Sequence, residues 1–220
     1  TYSQTLIAYI PLPKVLDKNS PGAPYNQLMK HLLKRVDERH HTIFMPSQRA
    51  NRALNQKEIS CIFPVVSNGY QRAVKTIKSN VVNKVSAHLF SLGKAIDKND
   101  FNNPLVVVYL RNQYFGKLFS QYKNIKFVPV DTENIAINLV VKRRASAYLG
   151  YFPDINLSIP ERKQKQLGLE RSDALLVTED RMECIDDELS RHFIGQFNNA
   201  LNNAIDTGEH EKLLSEYFNL

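Results

Sequence analysis

The chain has 220 residues, 43% of them hydrophobic and 23% charged, with 29 Lys and Arg against 22 Asp and Glu for a formal net charge of +7. That length can bury a sizeable core as one large domain or two small lobes, and the composition is ordinary for a globular protein, so disorder is not the default. No run approaches the ~20 apolar residues that a membrane helix needs. The positive charge raises a nucleic-acid reading. However, Lys and Arg are spread along the whole chain, the longest cluster being ERKQK at 161–165, and the aromatic-basic signature of an RNA-binding sheet is absent. The charge is read as a surface bias toward anionic ligands or membrane surfaces, and nucleic acid is not an expected partner.

In chain order, LIAYI (6–10) reads as a strand, and PGAPYNQLMKHLLKRVDER follows with a turn and then Leu28, Met29, Leu32, Leu33 and Val36 at helical spacing. HTIFMP (41–46) is a second strand, SQRANRALNQ (47–56) a short helix, and EISCIFPVV (58–66) a continuous apolar strand of the kind buried on both faces. VNKVSAHLFSLGKAI (82–96) is read as a connecting stretch, after which PLVVVYL (104–110) is a strongly β-branched strand. RNQYFGKLFSQYK (111–123) is a helix candidate starting at that strand's end, and IKFVPV (125–130) is a strand. DTENIAINLVVKR (131–143) is a helix with an Asp cap and Glu133 in its first turn, and ASAYLGYF (145–152) another strand. DALLVTED (173–180) crosses back, and two helices broken near Thr207 and Gly208 finish the chain.

The β-α-β-α-β pattern therefore occurs twice. The expected fold class is α/β: two doubly wound α/β lobes joined by a two-crossing hinge. In open α/β sheets ligands sit at the carboxyl ends of the strands, so residues 9–13, 64–72, 111–115 and 150–154 are expected to converge on a cleft. Cys61 and Cys184, far apart in sequence, match neither a zinc ribbon nor a CxxC redox pair. A long-range disulfide and two buried thiols both remain open.

The element order, the length and several local patterns resemble the type II periplasmic solute-binding proteins, specifically the family 3 group that serves polar amino acid transporters and some sensor receptors. In that family the second helix leads into a phrase "ALxxGxxDAII", a Ser/Thr-rich loop, a Glu-Arg or Lys-Arg pair and an "FS" pair. Here ALNQKEISCIF, VVSNGYQR and IKSN stand in the same order, with Ser60 in place of the family's Asp, Ser67 in the loop and Ser79 at the "FS" serine. The resemblance registers Arg72 with the arginine that clamps the ligand carboxylate. A planar, permanently charged fork suits that task, though read from the residues alone Arg72 is also an ordinary exposed arginine beside Gln71 and Lys75.

PLVVVYLRNQYFG resembles the family's "vGVxxGtxyg" strand and turn, where backbone amides and a hydroxyl meet the carboxylate. Asn112 and Gln113 fall near the hydroxyl positions, and Arg111 replaces the glycine, either as a second cation or as a surface residue. KRRASAYLGYF resembles "GRxDAxxxD", whose last Asp binds the ligand ammonium; Ser146 and Tyr151 replace the two aspartates. A phenol cannot neutralise an ammonium, so a carboxylate without an adjacent amine, or an aromatic or modified ligand, fits better. Tyr9, Tyr25, Tyr114 and Tyr151 are candidate aromatic walls, though each alone is more often a half-buried packing tyrosine. Asp154 is read as a turn residue beside Pro153.

The six histidines show no metal-binding spacing, and no nucleophile elbow, Walker A loop or GxGxxG is present. Some members of the wider fold are dehydratases, yet the positions where the family holds a carboxylate read Ser60, Ser146 and Tyr151. No enzyme, cofactor or metal is therefore expected. The resemblance implies lobe one at 1–88 plus 180–220, lobe two at 89–179, and hinges near Ala87–Leu89 and Val177–Glu179. It implies capture of a small carboxylate-bearing ligand for ABC uptake or, alternatively, for sensing. A membrane permease or a sensor protein is the expected partner, and a monomer is expected. The start at Thr1, without Met and directly before a strand, fits an exported chain freed of its signal peptide, as it also fits a trimmed chain. A periplasmic or extracytoplasmic location is expected.

Overall fold

The structure is a computed structural model that describes residues 4–66, 72–111, 113 and 115–218. The chain divides into two compact units, Thr1–Lys84 with Glu179–Phe218, and Val85–Thr178. It leaves the first unit between Lys84 and Val85 and returns between Thr178 and Glu179.

In the first unit β1 (Thr5–Tyr9) pairs in parallel with β2 (His40–Phe44) on one side and β3 (Cys61–Val66) on the other. The strands are joined by α1 (Pro24–Leu33) and α2 (Ser47–Asn55). A return strand, β10 (Leu176–Ile185), runs antiparallel to β3, and a short β4 (Thr76–Lys78) pairs with it further along. The helices form where their apolar residues recur every three or four positions. Tyr25, Leu28, Met29, Leu32 and Leu33 bury one face of α1, and Ala50, Ala53 and Leu54 of α2 close over Ala8, Ile62 and Val65. The terminal helices α7 (Glu188–Asp206) and α8 (Glu209–Phe218) pack against α1. Their break falls at Thr207 and Gly208, where Gly208 takes φ +75°.

The second unit repeats the plan. β6 (Leu105–Leu110) pairs in parallel with β7 (Ile125–Val130) and β8 (Ala147–Phe152), with α3 (Leu118–Gln121) and α4 (Glu133–Val141) between them. β5 (Asn83–Leu92) runs antiparallel to β8 and also pairs with β9 (Leu169–Arg171), which follows α5 (Asp154–Ser158) and α6 (Glu161–Gln166). Within the units the orders are β2-β1-β3-β10 and β7-β6-β8-β5. Each is a parallel trio completed by an antiparallel strand that carries a chain crossing.

The repetition extends to hydrogen bonds. Ser60 Oγ accepts from Leu6 N at 3.2 Å, and Ser146 Oγ accepts from Val106 N at 3.1 Å. Each serine thus ties the approach to the third strand to the start of the first. Lys57 and Arg143, just past the ends of α2 and α4, share the left-handed conformation at φ +59° and +56°. In both cases the next amide reaches back into the helix, from Glu58 to Ala53 and from Arg144 to Leu139.

Four sequence expectations change. Residues 82–96 are not a plain connection but contain the ten-residue β5, whose polar residues are satisfied in place. His88 donates from Nδ1 to the Ser172 carbonyl at 2.8 Å and accepts at Nε2 from Ser86 at 2.7 Å, and burial lowers its pKa, all of which fits a neutral core imidazole. The helix expected over 111–123 shrinks to Leu118–Gln121, because Gly116 takes φ +58° and interrupts any earlier start. The cap of α4 is Thr132, whose Oγ1 accepts from Ile135 N at 3.3 Å, while Asp131 pairs with Arg111 instead. The return strand is ten residues long and ends at Ile185, beyond the expected 173–180.

Cys61 and Cys184 are bridged, with both residues buried. The bridge joins residues 123 apart and so removes much of the freedom of the unfolded chain. Replacing both cysteines by alanine is expected to lower stability to urea by about 3–5 kcal/mol. Unfolding midpoints that match the native protein's, under oxidising conditions, would refute this.

Candidate functional site

In the first unit the carboxyl ends of β1, β2 and β3 lie side by side, held by Met45 N to Tyr9 O at 2.9 Å and Ile10 N to Phe63 O at 2.8 Å. Tyr9 is placed at this end. Its ring meets Phe44 and Phe63 edge-on at 5.5 and 6.2 Å, and burial pushes its phenol pKa up. Tyr9 also lines an open groove with Asn26, Lys30, Lys34, His40 and His41. Ser67 lies outside the described residues.

Arg72 is engaged from two elements. Nε donates to Glu183 Oε2 at 3.1 Å, Nη2 donates to the same oxygen, and Nη1 donates to Asn51 Oδ1 of α2. Glu183 Oε1 accepts from Thr76 at 2.7 Å. The Glu183 side chain is 4% exposed and that of Arg72 12%. Burial pushes the Glu183 carboxyl up, but the hydrogen bonds of Arg72 and Thr76 and the Arg72 charge pull it down further, leaving it below its ordinary pKa. The guanidinium is thus oriented and charge-compensated within its own unit, neither a solvated surface charge nor an uncompensated cation.

A second carboxylate of β10 is more isolated. Asp180, 4% exposed, accepts a hydrogen bond from the Tyr25 hydroxyl, which in turn accepts from Asn83 Nδ2 at 3.0 Å. Burial raises its pKa to about 6, against the lowering effect of Tyr25. Asn83 lies just before one chain crossing and Asp180 just after the other.

In the second unit the carboxyl end of β6 is followed by Arg111, whose Nε lies 3.1 Å from Asp131 Oδ1. Both side chains are more than half exposed, so the pair contributes little and the guanidinium is easily redirected. Gln113 N donates to the Leu110 carbonyl at 2.9 Å, while its buried Oε1 has no hydrogen-bond partner among the described residues. Tyr151 is half-buried and stacks on Phe115, ring centroids 4.8 Å apart. Asp154 opens α5. Asn112 and Tyr114 lie outside the described residues. Among the described residues no three His, Cys, Asp or Glu cluster as metal ligands.

The structure thus places Tyr9 and Arg72 in one unit and Arg111, Gln113 and Tyr151 in the other. Sequence reasoning missed Glu183, Asn51 and Asp180. The burial of β10 alternates through Thr178, Asp180, Met182 and Cys184, which could have flagged Asp180. Glu183 breaks the alternation because the register with β3 shifts between Arg181 and Glu183.

No protein-family model matches the chain, and no curated protein sequence matches it significantly. Among solved structures it is similar to the GluR0 ligand-binding core from Nostoc punctiforme in complex with L-glutamate, 14% identical at TM-score 0.72 over 98% of this chain and 100% of that one. It is similar to an ancestral cationic amino acid solute-binding protein, 15% identical at TM-score 0.73 over 98% and 95%. A third likeness is to the L-cystine solute receptor of Neisseria gonorrhoeae in the unliganded open conformation, 14% identical at TM-score 0.72 over 99% and 94%. The fold is that of the type II periplasmic binding proteins.

Glu183→Ala would leave a largely buried guanidinium without its counter-ion and is expected to cost about 3–5 kcal/mol in chemical denaturation, with Glu183→Gln costing less. Equal stability of the alanine variant and the native protein would contradict the pairing. For Asp180 the folded pKa, about 6, lies above the unfolded value of 3.8. Its stabilising contribution is therefore complete below 3.8 and is lost as pH rises toward 6, a change of about 3 kcal/mol. Asp180→Asn is expected to flatten that part of the stability profile, as read by urea unfolding at several pH values; an unchanged slope would show that Asp180 does not titrate there.

Proposed function

We propose that the chain is an extracytoplasmic solute-binding protein that captures a small carboxylate-bearing ligand, amino-acid-like or an aromatic acid, for uptake by an ABC transporter. The observation that carries this reading is the duplicated topology. Each unit leaves the carboxyl ends of a parallel trio to loops, the place where open α/β sheets bind ligands. The structural likenesses are to amino-acid-binding proteins. The Cys61–Cys184 bridge supports an oxidising, extracytoplasmic location, and no helix among the described residues is long and apolar enough to cross a membrane.

In this reading Arg72, held in orientation by Glu183 and Asn51, meets the ligand carboxylate. Ser67, Asn112 and backbone amides add hydrogen bonds, and Arg111 supplies a second, mobile cation. Gln113 Oε1 is an acceptor that a ligand hydroxyl or amide can satisfy. Tyr9, Tyr114 and Tyr151 cover an apolar part. The role is binding rather than catalysis: Ser60 and Ser146, which the resemblance aligns with carboxylates, are bonded to backbone at the amino ends of the strands, and Tyr151 puts a phenol where the resemblance has a carboxylate. The alternative reading is a ligand sensor coupled to a signalling partner without transport.

A thermal-shift screen against amino acids, carboxylates, aromatic acids and small peptides tests the proposal. A ligand at about a hundred times its Kd is expected to stabilise the native protein by about 2.7 kcal/mol and Arg72→Ala by much less. A library that shifts neither protein, or both equally, overturns the Arg72 assignment.

A further inference from the structure

The positive charge of the chain is unevenly shared. Val85–Thr178 carries 13 Lys and Arg against 8 Asp and Glu, so that unit accounts for +5 of the formal +7. Five of its exposed cations meet at one corner. Lys142, Arg143 and Arg144 follow α4 in a fixed turn, in which the amides of Arg143 and Arg144 donate to the carbonyls of Val140 and Leu139. Ser146 then docks on β6 through its own amide, 2.7 Å from the Val106 carbonyl. Lys126 stands opposite Val106 in the β6–β7 register, and Lys123 lies in the turn before β7, beside the Asn124 carbonyl that accepts from Leu105. The corner therefore comprises the amino ends of β6, β7 and β8, opposite the carboxyl ends that carry Arg111 and Asp131.

Among the described residues none of these five cations forms an ion pair, and the acidic groups nearby are committed elsewhere. Asp97 caps the 3-10 helix Lys98–Asn102 through Asn99 N, Asp100 faces Lys94, and Glu133 accepts from the Tyr148 hydroxyl. The neighbouring rings turn inward, Tyr122 against Phe101 and Phe127 against Phe119. The corner therefore offers no stacking platform for nucleic acid. Val106, 38% exposed beside Lys126, is its apolar component, too little for the core of a stable protein interface.

We propose that this corner docks the second unit onto an anionic lipid surface. Long, hydrated cations on a firm backbone suit a fluid layer of anionic headgroups, which imposes no fixed geometry and attracts through the sum of charges. In this orientation the carboxyl ends of β6, β7 and β8 face away from the lipid and remain open. The inference is independent of the solute-binding reading and holds or fails without a ligand.

Vesicle co-sedimentation tests it. The native protein is expected to bind phosphatidylcholine vesicles that contain about one third phosphatidylglycerol and to ignore pure phosphatidylcholine. Raising salt from about 0.02 to about 0.3 M should weaken binding at least tenfold, because the Debye length shortens. The triple variant Lys142→Glu, Arg143→Glu, Arg144→Glu and the double variant Lys123→Glu, Lys126→Glu should each lose most of the binding. Reversal of Arg49 and Arg52, exposed on α2 of the other unit, should leave it unchanged. If the native protein shows no preference for anionic vesicles at low salt, or the double variant binds like the native protein, the proposal is overturned.

Discussion

The pairing of β10 with β3 is the constraint on which the first unit depends, because carboxylates on and just beyond β10 organise three different neighbourhoods. Asp180 meets α1 through Tyr25, and Glu183 holds Arg72 and Thr76. Asp186 accepts from Arg191 at the start of α7 and pairs with Lys75. A slip of one residue would turn each of these side chains to the opposite face. The Cys61–Cys184 bridge joins the two strands at directly opposed residues and so pins the register.

The same architecture occurs twice in one chain. Ser60 and Ser146 hold equivalent backbone amides, and Lys57 and Arg143 close equivalent helices in a conformation that glycine adopts more readily. Two features therefore recur in both units: a hydroxyl bound where strand one starts and a tight reversal before strand three. Because Ser60 and Ser146 are spent on backbone at the amino ends of the strands, they take no part in chemistry at the carboxyl ends. The loops there are left to set binding properties separately in each unit.

The parallel trios were legible because runs such as CIFPVV and PLVVVYL are continuously apolar, as strands covered on both faces are. β5 was not, since Asn83, Ser86, His88 and Ser91 interrupt its run. Its place in the sheet rests on partners such as Ser172, distant in sequence. The candidate site was legible only in its cation. Arg72 stood out within a local pattern, but Glu183 lies 111 residues away, and only the fold brings the two together. The basic corner was hidden in the same way, since Lys123 and Lys126 are separated from Lys142, Arg143 and Arg144 by α4 and only the strand register gathers the two groups.

β7 is the outer strand of its unit's order β7-β6-β8-β5. The carbonyls of Asn124 and Val130 point toward β6, so by alternation the backbone of Pro129 points to the open side. A proline there removes a donor from the free edge without taking a hydrogen bond from the sheet. A neighbouring chain trying to extend the sheet at that edge would find an interrupted ladder, which guards the protein against the strand-to-strand aggregation that open parallel edges invite.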